Sequence, residues 1–229
     1  MLIEVNQSDR MALIAIGDIH GCARTLETLI ETLMPGPTDH LVFLGDYVDR
    51  GPDSCGVINL LVELEQSYRC TFLRGNHEAY MLQWCETGSC EDWLLYGGHS
   101  TLQSYRRTKG AVRVPEHHVG FLSRTQFFLD TPRYLFVHGG LEPSLTVEQN
   151  LKSSNPEVFM CCRAHLRVRR VVWEKCVVFG HTPVPEPILT EHMIGLDTGC
   201  VFAGRQGMGR LTAIRLPERY IVSVPNCET

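Results

Sequence analysis

The chain has 229 residues, 44% of them hydrophobic and 21% charged, with a formal net charge of −5. That length suits one sizeable α/β domain better than two, and the acidic balance argues against a protein whose main task is gripping nucleic acid. No apolar run approaches the roughly 20 residues of a membrane helix, and the first residues lack the basic-then-apolar pattern of a signal peptide.

Ten cysteines are scattered singly apart from Cys161-Cys162, with no CxxC spacing. Reduced, mostly buried thiols in a cytoplasmic protein are therefore expected, with a Cys85–Cys90 disulfide as the minor alternative.

After a polar start, Ala12–Ile16 reads as a short buried strand ending in Gly17-Asp18-Ile19-His20-Gly21. Leu26, Leu29, Ile30 and Leu33 recur at helical spacing, so an amphipathic helix should pack back on the sheet before Pro35-Gly36-Pro37 stops it. The apolar run Leu41–Leu44 predicts a second strand, ending in Gly45-Asp46-Tyr47-Val48-Asp49-Arg50-Gly51. Two acids and a base crowded beside a buried strand are costly unless something pairs with them. Pro52-Asp53-Ser54 starts a helix whose buried face is Val57, Ile58, Leu61 and Leu64. A third strand, Cys70–Leu73, runs into Arg74-Gly75-Asn76-His77-Glu78.

The segments Glu78–Glu86 and Trp93–Tyr96 carry aromatics at helix-like spacing and read as core rather than as a binding box. Gly97-Gly98 breaks the chain before a short helix around Ser100–Tyr105, and Pro115 starts another. Phe127–Leu129 and Tyr134–Val137 flank Thr131-Pro132-Arg133 as a hairpin, and the second strand ends in His138-Gly139-Gly140. A loop and a helix around Pro156–Arg167, with basic residues clustered at its end, precede the strand Lys175–Phe179 and its tip Gly180-His181-Thr182-Pro183. Ile188–Thr190, Met193–Leu196, Leu211–Leu216 and Tyr220–Val224 read as further strands, with Arg205–Arg210 as a long hairpin tip. No linker or repeat interrupts residues 1–229, so a single domain is expected.

Five of these strands finish in a turn bearing metal-capable side chains: Asp18 and His20; Asp46 and Asp49; Asn76 and His77; His138; His181. Open α/β sheets bind ligands outside the carboxyl ends of their strands. A nitrogen-and-oxygen donor set without thiolate suits Mn²⁺, Fe or Zn²⁺ better than a structural cysteine-based zinc site.

Taken in order, these motifs resemble the signature of the calcineurin-like metallophosphoesterases, and more narrowly the bacterial and phage members of the phosphoprotein phosphatase branch. The resemblance spans about residues 12 to 217 and includes Trp93–Tyr105 and Gly195–Cys200. It implies an α/β fold, a four-layer α/β/β/α sandwich, with a dinuclear metal site at the strand C-terminal ends. By resemblance, Asp18, His20 and a bridging Asp46 bind one divalent metal, and Asp46, Asn76, His138 and His181 bind the second. The two ions, Mn²⁺ by preference with Fe or Zn²⁺ as alternatives, would share a hydroxide that attacks phosphorus directly. His77 is implied as the general acid, with Asp49 orienting its imidazole. Arg50, Asn76 and Arg163 are the expected substrate contacts, Arg50 through its planar fork. For Arg163 a solvated helix face is the competing reading. Arg74 is expected to brace its turn and Glu78 to buttress a neighbouring segment.

Arg163-Ala164-His165 resembles the segment that carries the last metal histidine in eukaryotic members. It falls on a predicted helix, whereas His181 follows a strand, so the metal is assigned to His181. The remaining histidines, His40, His99, His117, His118, His165 and His192, are expected on the surface.

The function implied is removal of phosphate from phosphoserine and phosphothreonine proteins, or from small phosphate esters. The alternative is a bis(5′-nucleosyl)-tetraphosphatase, a dinucleoside polyphosphate hydrolase of the same fold. An intact Asp49–His77 pair is read as favouring the ester hydrolase. A non-catalytic module on a decayed fold would need missing ligands, and none is missing. No membrane or nucleic-acid partner is expected, and a monomer is the working expectation.

Overall fold

The structure, a computed structural model, describes residues 11–109, 113–153 and 155–228. The polar start and the expected lack of a signal peptide fall on residues 1–10, outside the described residues. In chain order the strands are β1 (Leu13–Ile16), β2 (His40–Phe43), β3 (Arg69–Phe72), β4 (Phe128–Asp130), β5 (Tyr134–Val137), β6 (Cys176–Phe179), β7 (Ile188–Leu189), β8 (Met193–Gly195), β9 (Arg210–Leu216) and β10 (Tyr220–Pro225). The α-helices are α1 (Ala23–Leu33), α2 (Ser54–Ser67), α3 (Asn76–Thr87), α4 (Glu91–Trp93), α5 (His99–Lys109), α6 (Glu116–Ser123), α7 (Val147–Ser153) and α8 (Pro156–Cys161).

Two mixed sheets form, ordered β10-β9-β1-β2-β3 and β4-β5-β6-β8-β7. Each has three parallel strands, β1, β2 and β3 in one and β5, β6 and β8 in the other, flanked by antiparallel partners. Strands buried on both faces read as continuous apolar runs, which is why Leu41–Leu44 and Tyr134–Val137 were legible as strands without alternation.

The period-two geometry of a strand divides each run between two cores. Ile14 and Ile16 of β1 and Leu41 and Phe43 of β2 join the helical side, together with Leu26 and Leu29 of α1 and Ile58 and Leu61 of α2. Ala15 and Val42 face the other way, onto Phe136, Val178 and Ile194 of the second sheet. Leu135, Val137, Val177 and Phe179 then pack beneath Val147 of α7 and Phe159 of α8. Helices, two sheets and helices thus stack as an α/β/β/α sandwich.

Local signals account for most element ends. Asp53 caps α2 by accepting from Gly56 N at 2.9 Å, and Asn155 caps α8 by accepting from Glu157 N at 2.8 Å. Met34 closes α1 in the left-handed region, its N–H reaching Ile30 O. Three expectations are corrected. The helix expected over Pro156–Arg167 is broken: α8 stops at Cys161, and Ala164–Arg167 is a separate 3-10 turn. The short helix α7 lies where a loop was expected. Arg205–Arg210 is not a hairpin tip, because β8 and β9 belong to different sheets and the segment crosses between them.

All ten cysteines are free, including Cys85 and Cys90. Among the described residues, no helix is long and apolar enough to cross a membrane.

Candidate metal centre

The C-terminal ends of the six parallel strands meet along one edge of the sandwich and bring Asp18, Asp46, Asn76, His138, His181 and Asp197 into a common neighbourhood. The first two tips are tied together by backbone, with Ile19 N and His20 N donating to Asp46 O at 3.1 and 2.8 Å and Gly21 N to Tyr47 O at 2.8 Å. Gly180 N donates to His138 O at 2.9 Å and joins the tips of β5 and β6 in the same way.

Asp46 is the centre of the cluster. Its Oδ2 lies 3.5 Å from His20 Nε2 and 4.0 Å from His77 Nε2, and its Oδ1 lies 3.2 Å from His138 Nε2. Burial alone would raise its pKa, but His138, His77 and His20 outweigh that and hold the carboxyl well below its usual range. The converse holds for His138. Burial opposes its charge, yet Asp46 and its hydrogen bond, helped by Asp18 and Glu78, push it up to about 10.

The tautomers follow from backbone partners. His20 Nδ1 is 2.8 Å from Val48 O and His138 Nδ1 is 2.9 Å from Leu44 O, so each ring donates at Nδ1 and turns Nε2 inward. Arg50 Nη1 contacts that inward Nε2 of His20. Burial pushes His20 well below its ordinary value, and it lowers His181 to about 3 with further help from neighbouring His138.

A separate network holds Asp49 and His77. His77 Nδ1 is 2.6 Å from Asp49 Oδ2, Trp93 Nε1 donates to both carboxylate oxygens at 2.9 and 2.8 Å, and Thr101 Oγ1 donates to Oδ1 at 2.7 Å. With Nδ1 engaged by Asp49, His77 turns its Nε2 toward the cluster, 4.0 Å from Asp46 Oδ2.

Five site residues other than glycine, His20, Asp46, Asp49, Arg50 and His181, have positive φ between 48° and 74°. Such backbone costs on the order of 1–3 kcal/mol per residue and persists only when its surroundings over-determine it. Glu78 supplies much of that constraint. Fully buried, it accepts from Asp46 N and Gly75 N through Oε2 (2.8 and 2.9 Å) and from Tyr47 N and Val48 N through Oε1 (2.7 and 3.3 Å). Burial and then Asp46 raise its pKa to about 7. Gly45 is required where it stands: at φ 108°, a Cβ there would meet Gly75 N at 2.7 Å and His138 Nδ1 at 2.8 Å.

The donor set fits divalent cations. The ligand atoms of His20, Asp46 and His77 lie within 4.8 Å of one another, as do those of Asp46, His138 and His181. Asn76 Oδ1 and His181 Nε2 are buried without a protein partner. Burial, then the nearby Asp197, pushes Asp18 well above the usual carboxylate range, and Asp197 itself rises to about 6. Buried acids that repel one another, and buried polar atoms left without a partner, are the environment a cation would relieve.

Each predicted site residue can now be placed. Asp46, His20, His138 and His181 come together directly. Asp18 lies at the edge, its oxygens accepting from His181 N at 3.1 and 3.0 Å. A cleft of about 180 Å³ opens over Asp46, Asn76, His77 and His181, walled by Arg50, Arg163, Cys161, Tyr80 and Tyr96. Arg163 is not on a helix face: it sits in the break after α8, and its Nε donates to Thr182 Oγ1 at 3.0 Å. Arg74 braces its turn as expected, donating to Leu122 O, Ser123 O and Thr125. His165 stays out of the cluster, but it is not a surface residue. It is fully buried against Trp173 and Phe179, and His40 and His118 are also buried; only His99 and His117 of that group are exposed.

Asp197, Trp93 and Thr101 were missed as site residues. Asp197 did carry a signal, since Ile194-Gly195-Leu196 running into Asp197-Thr198-Gly199 repeats the strand-and-tip pattern of the other five. Trp93 and Thr101 carried none, because nothing local to them points to Asp49, 44 and 52 positions away.

Residues 11–212 match the family model described as calcineurin-like phosphoesterase. Among curated proteins, the chain is similar to the asymmetrical bis(5′-nucleosyl)-tetraphosphatase PrpE of Oceanobacillus iheyensis, 28% identical over 93% of this chain and 92% of that protein. The protein of the same name from Bacillus anthracis is 30% identical, over 92% of this chain and 93% of its own. A crystal structure provisionally described as a diadenosine tetraphosphatase superposes with a TM-score of 0.69 at 26% identity, covering 94% of both chains. The cold-active protein-tyrosine phosphatase of a psychrophilic Shewanella shares the fold, with a TM-score of 0.59 at 19% identity over 93% of this chain and 80% of that one. These relatives correct the expectation of a protein serine/threonine phosphatase: over nearly their whole length they carry the name of a nucleotide tetraphosphatase. The Asp49–His77 pair therefore did not discriminate between the two readings.

Proposed function

The chain belongs to the calcineurin-like phosphoesterase family, and from that premise we propose that it hydrolyses dinucleoside tetraphosphates asymmetrically, to a nucleoside triphosphate and a nucleoside monophosphate. The observation that carries this reading is end-to-end similarity to tetraphosphatases of that name, at 28–30% identity with more than nine-tenths of each chain aligned.

In this reading Asp18, His20, Asp46, Asn76, His138 and His181 hold two divalent ions, for which Mn²⁺ is the first ion to try. When bound, such ions supply Lewis-acid polarisation and neutralise phosphate charge. Arg50 and Arg163, both lining the cleft, bind and orient phosphate oxygens through charge-assisted hydrogen bonds. His77 holds a proton on Nε2 for the leaving oxygen while Asp49 fixes the ring through Nδ1. An anhydride releases a phosphate oxygen, a much weaker base than an alkoxide, so His77 contributes less to this reaction than to ester hydrolysis. The described chain acts as one domain around a site fed by both sheets.

The test is direct. Diadenosine tetraphosphate is incubated with purified protein and Mn²⁺, and the products are separated by anion-exchange chromatography. Equal amounts of ATP and AMP are expected. ADP as the sole product, or no turnover with any divalent metal, rejects the proposal.

A further inference from the structure

We infer that Tyr80 and Tyr96 form a stacking platform for a nucleobase at the rim of the cleft, an inference that rests on the dinucleotide reading for the identity of its ligand. Tyr80 lies on α3 one turn beyond Asn76 and His77, its ring centroid 6.4 Å from that of His77 and edge-on to it. Tyr96 stacks on Tyr80 with centroids 5.8 Å apart and planes inclined by 16°. Both rings wall the cleft that contains Asp46, Arg50 and Arg163. The wall thus runs outward from the proposed proton donor through two aromatic faces to solvent.

Exposure separates Tyr96 from the rest of the aromatic cluster, while Tyr80 is half-buried against the core and carries it. Trp93 is fully buried and packs on Trp84 at 5.3 Å, which accounts for the core-like spacing of these segments. Tyr96 is 51% exposed. Tyr96 is anchored on one side by Tyr80 and left open on the other beside charged walls, and a purine or pyrimidine offers it a π face of matching size.

The platform is also fixed relative to the phosphate-facing arginine. Tyr96 lies in the wide turn Leu94–Gly98, where Gly97 O accepts from Arg50 N at 3.3 Å and from Ser100 Oγ at 2.8 Å. Gly97 sits at φ 119°, and a Cβ there would meet Arg50 Cγ at 2.8 Å. The backbone that presents the ring therefore touches the backbone that presents the guanidinium. Phosphate on Arg50 and base on Tyr96 become one two-point contact, and stacking leaves the choice of base open because every base has a π face.

The test compares a ligand with and without its nucleoside. Metal-loaded protein is titrated calorimetrically with α,β-methylene-ADP and with methylenediphosphonate, neither of which offers a hydrolysable anhydride. In the wild type the nucleotide is expected to bind at least tenfold more tightly. In Tyr96→Ala that gap should shrink to about twofold with the methylenediphosphonate affinity unchanged, and Tyr96→Phe should restore it. Tyr80→Ala should narrow it similarly. A gap that survives Tyr96→Ala, or no gap in the wild type, overturns the platform. Turnover of diadenosine tetraphosphate in the same preparations separates the two failures. An intact, Tyr96-dependent gap without turnover rejects the reaction but keeps the platform; turnover with a Tyr96-independent gap does the reverse.

Discussion

Asp49 holds His77 at 2.6 Å while Trp93 and Thr101 occupy its other lone pairs. The carboxylate therefore fixes one imidazole tautomer, and His77 joins it to the Asp46 cluster, its Nε2 lying 4.0 Å from Asp46 Oδ2.

This pairing predicts a leaving-group signature. General acid catalysis is worth ~10²–10⁴-fold. His77→Ala should lose kcat near the bottom of that range on diadenosine tetraphosphate and near the top on an alkyl phosphate such as β-glycerophosphate. Steady-state kinetics on the two substrates decide it, and equal losses would remove His77 from the role of acid. Asp49→Asn should follow the same pattern with a smaller loss.

Glu78 does not itself line the cleft, yet it accepts four buried backbone N–H groups from the tips of β2 and β3, that of Asp46 among them. Removing one acceptor from a buried donor costs ~1–3 kcal/mol. Glu78→Ala should thus lower stability by several kcal/mol, on the order of 4. Urea denaturation measures it, and a change below about 1 kcal/mol would show that the tips hold their left-handed backbone without it.

Metal binding separates the two rival histidines. His181→Ala should lower bound metal, since its Nε2 is an orphan beside the Asp46 cluster, whereas His165→Leu should leave metal stoichiometry unchanged. Inductively coupled plasma measurement on dialysed protein reads both. Chelation should also lower the Tm of the wild type, because a ligand at 100 times its Kd adds about 2.7 kcal/mol of stability.

His165 gives a pH prediction with a definite sign. Its burial between Trp173 and Phe179 lowers its pKa from the ordinary 6.5 to about 4. Between those values the unfolded chain binds the proton and the folded chain does not. Stability is thus unaffected above pH 6.5 and falls as the pH drops toward 4. By pH 4.5 this loss amounts to ~2–3 kcal/mol. His165→Leu should be less acid-sensitive by that amount in denaturant titrations at pH 7 and pH 4.5; an unchanged difference would place the imidazole in contact with water.

Much of the fold was legible because its inner strands are buried on both faces and so stand out as apolar runs with polar tips. Asp18, Asp46, Asn76, His138 and His181 were readable for that reason. Position after a strand led to His181, which the fold brings beside Asp46 and His138 while His165 stays apart, although the helix invoked against His165 proved to be a 3-10 turn. The exposure of Tyr96 against the burial of Trp93 was not legible, since both fit one helical stripe until the wide turn at Gly97 rotates them apart. The hairpin expected at Arg205–Arg210 failed because sequence adjacency of β8 and β9 says nothing about which sheet each joins.

Sequence alone determined the family and the chemical character of the site, because strand-and-tip periodicity and donor type are local properties. Tertiary structure decided which groups meet. Asp46 gathers three histidines from three other tips, Asp197 faces Asp18, and Trp93 with Thr101 takes Asp49 out of the cluster. Those pairings join residues up to 179 positions apart: His20 and His77 reach Asp46 from neighbouring strands of one sheet, whereas His138 meets Asp46 and Asp197 meets Asp18 because the second sheet packs on the first.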